Sequence, residues 1–126
     1  MGLVLDTAGL IAFDRGDRQV AALIEAARRR RDPVITSSGC VAQAWRAGGS
    51  RQALLARGLR GAAELGLDQR ISRTTGDLCG ATQTTDVVDA HLTLLTRDGD
   101  VVLTSDVDDL RRLLRSRGTR AEILHC

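Results

Sequence analysis

Apolar positions along this chain follow two periods in turn. Leu3-Val4-Leu5, Val34-Ile35 after Pro33, and Val101-Val102-Leu103 are short continuous runs, as expected of strands covered on both faces. Between them apolar residues recur at helical spacing, as in the stripe Val20, Leu23, Ile24 and Ala27. The pattern predicts a strand over residues 2–5, a helix over 8–13 capped by Asp6 or Thr7, and a break at Arg15-Gly16-Asp17. A second helix is predicted over 17–30 and a strand over 33–36. Ser37-Ser38 should cap a helix running through Cys40, Val41, Ala44 and Trp45 to Gly48-Gly49. A short helix over 51–59, antiparallel to it, a brief strand over 62–65 and a weakly patterned helix from 68 to near Gly80 follow. Thr84-Thr85 should cap a helix over 86–97, and Asp98-Gly99-Asp100 should turn the chain into a strand over 101–104. A helix over 106–117 stopped by Gly118 and a strand over 121–124 complete the series. Strands alternating with helices predict a parallel sheet with helices on both faces, a three-layer α/β/α domain spanning residues 1–126.

The chain has 126 residues, 43% hydrophobic and 27% charged, ordinary for a globular protein. No apolar run approaches the roughly 18 residues needed to span a membrane, and Met1-Gly2 leads straight into a strand, so a cytoplasmic location is expected. Cys40, Cys79 and Cys126 are odd in number and widely spaced, which argues for free thiols rather than a disulfide framework or a zinc site. The net charge is only +2, yet all 18 basic residues are arginine. Any basic patch would therefore meet phosphate through guanidinium forks. Phe13 and Trp45 are the only aromatic residues, which removes the stacking platforms of RRM or OB type.

Carboxylates gather where strands hand over to helices. Asp6 follows the first strand and Asp106 the fourth, and ligands in open α/β sheets sit beyond such carboxyl ends. Asp86 and Asp89 open one helix, and Asp106 and Asp109 the next; residues three apart share a helix face. Capping accounts for Asp6, Asp86 and Asp106 taken singly. Asp89 is different, because it lies between Val88 and Ala90, a full turn inside its predicted helix, where a carboxylate is costly without a partner. Several carboxylates brought together raise one another's pKa unless a cation neutralises them, and an oxygen-only site suits Mg²⁺ or Mn²⁺.

Leu5-Asp6-Thr7, then Asp89-Ala90 in a helix, then Leu103-Thr104-Ser105-Asp106 after a strand resemble, in order and spacing, a PIN domain. More narrowly, the chain is similar to the VapC-type toxins of bacterial toxin–antitoxin pairs over nearly its whole length. The resemblance implies a mainly parallel sheet of about five strands and a metal-dependent endoribonuclease. Asp6, Asp89 and Asp106 take the family's acidic positions, with Asp86 and Asp109 as further ligands and Thr7 and Ser105 as supports. Water activated at such a site attacks phosphorus in line and leaves a 5′-phosphate. Arg46, Arg111 and Arg115 are candidates to hold RNA. A cognate antitoxin and a homodimer are implied as partners, with the helix of Leu54, Leu55 and Leu59 as the most apolar contact face. One position departs from the family's pattern: in Val41-Ala42-Gln43-Ala44-Trp45-Arg46 the usual glutamate is Gln43, which keeps a carbonyl ligand and loses a charge. The alternative is therefore a catalytically weak or silent PIN fold that binds an antitoxin, another protein or RNA.

Other chemistries are excluded by what they need. There is no GxGxxG, no P-loop and no GxSxG elbow, and no lysine for a receiver-type acidic pocket. His91, two residues beyond Asp89, does not share its helix face and is expected to be a structural or surface histidine; His125 is expected to be mobile near the terminus.

Overall fold

The computed structural model describes residues 1–46 and 52–126. Among these residues five strands form one sheet: β1 (Leu3–Leu5), β2 (Val34–Ser37), β3 (Ala63–Leu65), β4 (Val101–Thr104) and β5 (Glu122–His125). Their spatial order is β3-β2-β1-β4-β5, and every pairing is parallel. Burial follows that order. The apolar runs of β1, β2 and β4 fill the middle, whereas β3 at one edge is exposed throughout and β5 at the other is partly so.

Among the described residues seven helices cover the two faces: α1 (Thr7–Asp14), α2 (Arg18–Arg29), α3 (Ser38–Ala44), α4 (Ala53–Arg60), α5 (Gln69–Thr82), α6 (Val87–Leu95) and α7 (Val107–Arg117). From β1 the chain steps outward to β2 and β3 through α1 to α4, then returns through α5 and α6 to β4 and steps the other way through α7 to β5. Right-handed crossovers in opposite directions put the two helix groups on opposite faces. The sheet's switch point therefore lies between β1 and β4, where a crevice opens at the carboxyl ends.

The α4 helix corrects one expectation. Leu55 is buried in the core and Leu59 packs against it, so most of the stripe read as a contact face for another chain lies inside the molecule, with Leu54 partly buried beside it. Phe13 of α1 fits against Gly58 so closely that a Cβ there would clash with the ring. Glycine lets the two helices meet, and the stripe is consumed by that packing. The large apolar residues left exposed are Met1, Trp45, Leu65, Leu67 and Val87.

Several boundaries shift for local reasons. Helix α3 ends at Ala44 because Trp45 takes an extended backbone; the predicted stop at Gly48-Gly49 and start at Arg51 lie outside the described residues. Helix α5 runs through Gly80 to Thr82, and Gln83 ends it in the left-handed region at φ 55°. Helix α6 is capped by Asp86 rather than by Thr84-Thr85; Thr84 instead accepts the Asp86 N–H through its hydroxyl. The same helix stops at Leu95, and the Arg97 N–H turns to Asp100. His125 is not a loose end, since it pairs in register with Thr104. His91 is 2% exposed, and its Nε2 has no hydrogen-bond partner among the described residues, which makes it a core residue whose burial holds its pKa below the usual imidazole range. The three cysteines are free, with Cys40 buried. Among the described residues no helix is long and apolar enough to cross a membrane.

Candidate active site at the carboxyl ends of β1 and β4

Three helices begin at the crevice, each capped by an aspartate. Asp6 caps α1 by accepting the Gly9 N–H at 2.8 Å, Asp86 caps α6 by accepting the Asp89 N–H at 2.9 Å, and Asp106 caps α7 by accepting the Asp109 N–H at 3.3 Å. A cap places its carboxylate over the positive end of a helix, so three such ends are turned toward one place.

The cap geometry also explains Asp89. It is the third residue of α6 and so belongs to the first turn, not a full turn inside as the sequence pattern suggested. Its backbone is tied to Asp86, and its side chain meets those following β4. One carboxylate oxygen each from Asp89, Asp106 and Asp109 lies within 4.8 Å of the others. Asp89 is half-buried, whereas Asp106 and Asp109 are exposed. Burial, then the charges of Asp86, Asp6, Asp106 and Asp109, push the Asp89 carboxyl up to about 7. A hydrogen bond and charge from Asp106 raise Asp109, against a weak pull from Arg112, whose Nη2 is 3.8 Å away.

Asp6 and Asp86 stand outside the close trio. Asp6 is 6% exposed and lies deepest. Its carboxylate is bound by Thr104 and by the backbone N–H groups of Gly9, Ala8 and Ser105, yet burial outweighs them and raises its pKa. Thr104 is the residue that sequence reasoning missed. Buried at the end of β4, it binds Asp6 with its side chain and accepts the Asp106 N–H at 3.0 Å, so it links the two strand ends. Its place in the Leu103-Thr104-Ser105-Asp106 run was the available signal. Ser105 contributes its backbone N–H to Asp6, and its side chain is exposed.

Gln43 lies at the rim, exposed, with its Oε1 accepting the Thr7 hydroxyl at 2.5 Å. That bond brings α3 to the residue after Asp6. Cys40, buried on the same helix, has its thiol pushed up by burial, with Asp6 and Asp89 adding smaller effects of the same sign. Arg46 spends its guanidinium on the carbonyls of Ala42 and Trp45.

The two α7 arginines do not face the trio. At about 100° per residue, Asp109 and Arg112 flank the buried Leu110, Leu113 and Leu114 on one side, and Arg111 and Arg115 on the other. Arg112 reaches the Thr82 carbonyl at the end of α5, while Arg111 and Arg115 line a groove against β5.

A comparison with solved structures finds a chain of "VapBC2 from Rickettsia felis bound to a DNA fragment from their promoter", with TM-score 0.70 at 12% identity. The match covers 98% of this chain and 99% of that one. No family model matches the sequence. No curated protein matches it either. The likeness is one of fold: this chain shares the three-layer architecture of a chain in that complex, which agrees with the α/β/α fold that the resemblance implied.

Proposed function

We propose that this chain is a Mg²⁺- or Mn²⁺-dependent endoribonuclease of PIN type, acting in the cytoplasm as the toxin of a toxin–antitoxin pair. The observation that carries the reading is the Asp89, Asp106 and Asp109 trio within 4.8 Å, with Asp89 pushed up to about 7. Carboxylates held this close without an adjacent cation repel one another, and a hard divalent ion relieves that repulsion. The donor set is oxygen only, which fits Mg²⁺ or Mn²⁺ better than a softer metal.

Asp89, Asp106 and Asp109 would hold the ion, with Asp6 and Asp86 close enough to add negative potential. Such an ion, when bound, lowers the pKa of water and offsets charge on a phosphodiester. The chain's own groups do the rest. The first turns of α1, α6 and α7 direct helix N-termini toward the site, where they favour an anionic phosphate. Thr104 holds Asp6 and the Asp106 backbone in fixed relation, and Thr7 with Gln43 closes the α3 side. Arg46, two residues beyond α3, would meet the RNA backbone by leaving its carbonyl partners.

The VapBC2 complex supports a protein antitoxin as partner. Self-association into a homodimer belongs to the same reading, and sedimentation that finds only monomer at high concentration would remove it.

The deciding experiment is cleavage of a structured RNA in Mn²⁺, with EDTA and Asp6→Asn as controls. Asp89→Ala is expected to lower the rate at least about 100-fold, since even groups supporting a metal's ligands cost 10- to 100-fold when removed. A wild-type chain that cuts no RNA, while still capturing an antitoxin, would favour the silent binding module. Gln43, in place of an acid at the rim, is the observation on that side.

A further inference from the structure

Helix α7 carries four arginines in seven positions, and they divide into two pairs. Arg112 and Arg117 are committed to packing, through the carbonyls of Thr82 and Thr93 respectively. Arg111 and Arg115 lie on the opposite flank and join Arg120 around a groove of about 270 Å³ between α7 and β5. Leu114, Ala121 and Ile123 line its apolar part, and Thr119 completes it. Among the described residues Arg111 has only Asp108, at 3.2 Å and 96% exposed, and no carboxylate lies within 4.0 Å of Arg115 or Arg120. An exposed pair of that kind holds Arg111 weakly.

The turn that brings these groups together is firmly built. Gly118 ends α7 in the left-handed region at φ 70°, and the Gly118 and Thr119 N–H groups return to the carbonyls of Arg115 and Leu114. The Arg120 N–H donates to Asp98 at 2.8 Å, and its carbonyl accepts the Gly99 N–H at 2.8 Å. Arg115 and Arg120 are thus presented from fixed backbone, which lowers the ordering cost of a bidentate contact. Compensation of the α7 dipole explains arginine in its last turn. It does not explain Arg120, which lies beyond the helix and on the same groove.

We propose that this groove is an anion site for a phosphate group, and that the phosphate is one in the backbone of a single-stranded RNA. Guanidinium forks match phosphate oxygens in pairs, and a groove of about 270 Å³ has room for a backbone phosphate between Arg111, Arg115 and Arg120. The groove is open at the edge of the sheet, so a chain can pass along it. It lies on the flank of α7 away from the acidic trio and would anchor a strand outside the cutting site. The inference does not depend on the trio being active.

The test is fluorescence anisotropy of a labelled single-stranded RNA in EDTA across a salt series, using the full chain. Arg115→Gln with Arg120→Gln is compared with Arg18→Gln with Arg29→Gln, exposed arginines of α2. The groove pair is expected to weaken binding about tenfold and to flatten the log–log salt slope by at least about 0.7. The α2 pair should change neither. Equal binding by wild type and groove variant, or equal loss in both variants, overturns the proposal. Two competitors separate the sources. Inorganic phosphate binding that is lost in the groove variant while RNA binding stays unchanged would leave a phosphate site and refute the strand. Displacement of RNA from the wild type by poly-glutamate as effective as by unlabelled RNA would overturn phosphate as the ligand. A protein that cuts RNA but fails here loses only this inference; one that passes here but never cuts loses only the nuclease reading.

Discussion

At the amino end of the sheet Asp100 is 5% exposed, and its two oxygens accept the Gly2 N–H at 2.6 Å and the Arg97 N–H at 2.8 Å. Nearby Asp98 accepts the Arg120 N–H at 2.8 Å. At the carboxyl end, Asp89 is partly enclosed too, but its neighbours are Asp86, Asp6, Asp106 and Asp109. One end surrounds carboxylates with donors, the other with more carboxylates. The first arrangement ties the Met1 strand to the turn before β4 and needs nothing else. The second leaves negative charge that the fold itself does not neutralise, the mark of a site built for something other than stability.

Removing the carboxylate at each end should therefore act with opposite sign on stability. Asp100→Ala strands two backbone N–H groups and is expected to cost about 3 kcal/mol, from the 1–3 kcal/mol typical of each buried unsatisfied group. Asp89→Ala removes repulsion and should leave the metal-free chain as stable or more so. Urea denaturation in EDTA compares the two. A collapse of stability in Asp89→Ala would make Asp89 a structural residue like Asp100 and dissolve the contrast.

The contrast also has a pH signature. Asp89 ionises near 7 in the folded chain against an ordinary 3.8, so the folded state keeps a proton that the unfolded state releases. Its favourable contribution is fully present below about 4 and is lost as pH rises through about 7. Wild type in EDTA should accordingly lose about 1 to 2 kcal/mol relative to Asp89→Asn between pH 4 and pH 8, a figure lowered for partial solvent screening. Mn²⁺ should restore wild type at pH 8 and do little at pH 5, where protons compete for the ligands. Parallel stability curves for the two proteins would show that Asp89 does not titrate in this window.

Much of this contrast was legible from residue order. Short apolar runs followed by aspartate marked β1 and β4, because a buried parallel strand and an N-cap each demand a narrow set of residues. The membership of the trio was less legible. Asp6 comes first by motif, but its oxygens are taken up by the α1 backbone and Thr104, whereas Asp109 joins Asp89 because Asp106 caps its amide. Only packing decides this. The α4 stripe taught the same lesson, since Leu55 reads alike whether it meets Phe13's helix or another chain. The separation of Arg111 and Arg115 from Asp109 was available from helical angles, once β5 was known to lie on that side.

Gln43 sharpens the comparison at the smallest scale. Its carbonyl accepts from Thr7, so Gln43→Glu keeps an acceptor at the same atom while adding one charge beside an already crowded set. Without a cation that charge has no donor to meet beyond the Thr7 hydroxyl, and the variant should be slightly less stable in EDTA. With Mn²⁺ the added carboxylate should strengthen metal binding, and RNA cleavage should rise about tenfold, the lower end of what outer partners of a metal site contribute. Calorimetric titration of Mn²⁺ and cleavage rates, run on both proteins, separate two causes. Tighter Mn²⁺ binding with faster cleavage makes the missing charge the limit on this site. Unchanged metal affinity places Gln43 outside the ion's reach, and its bond to Thr7 is then a clasp between α3 and α1 rather than part of the chemistry.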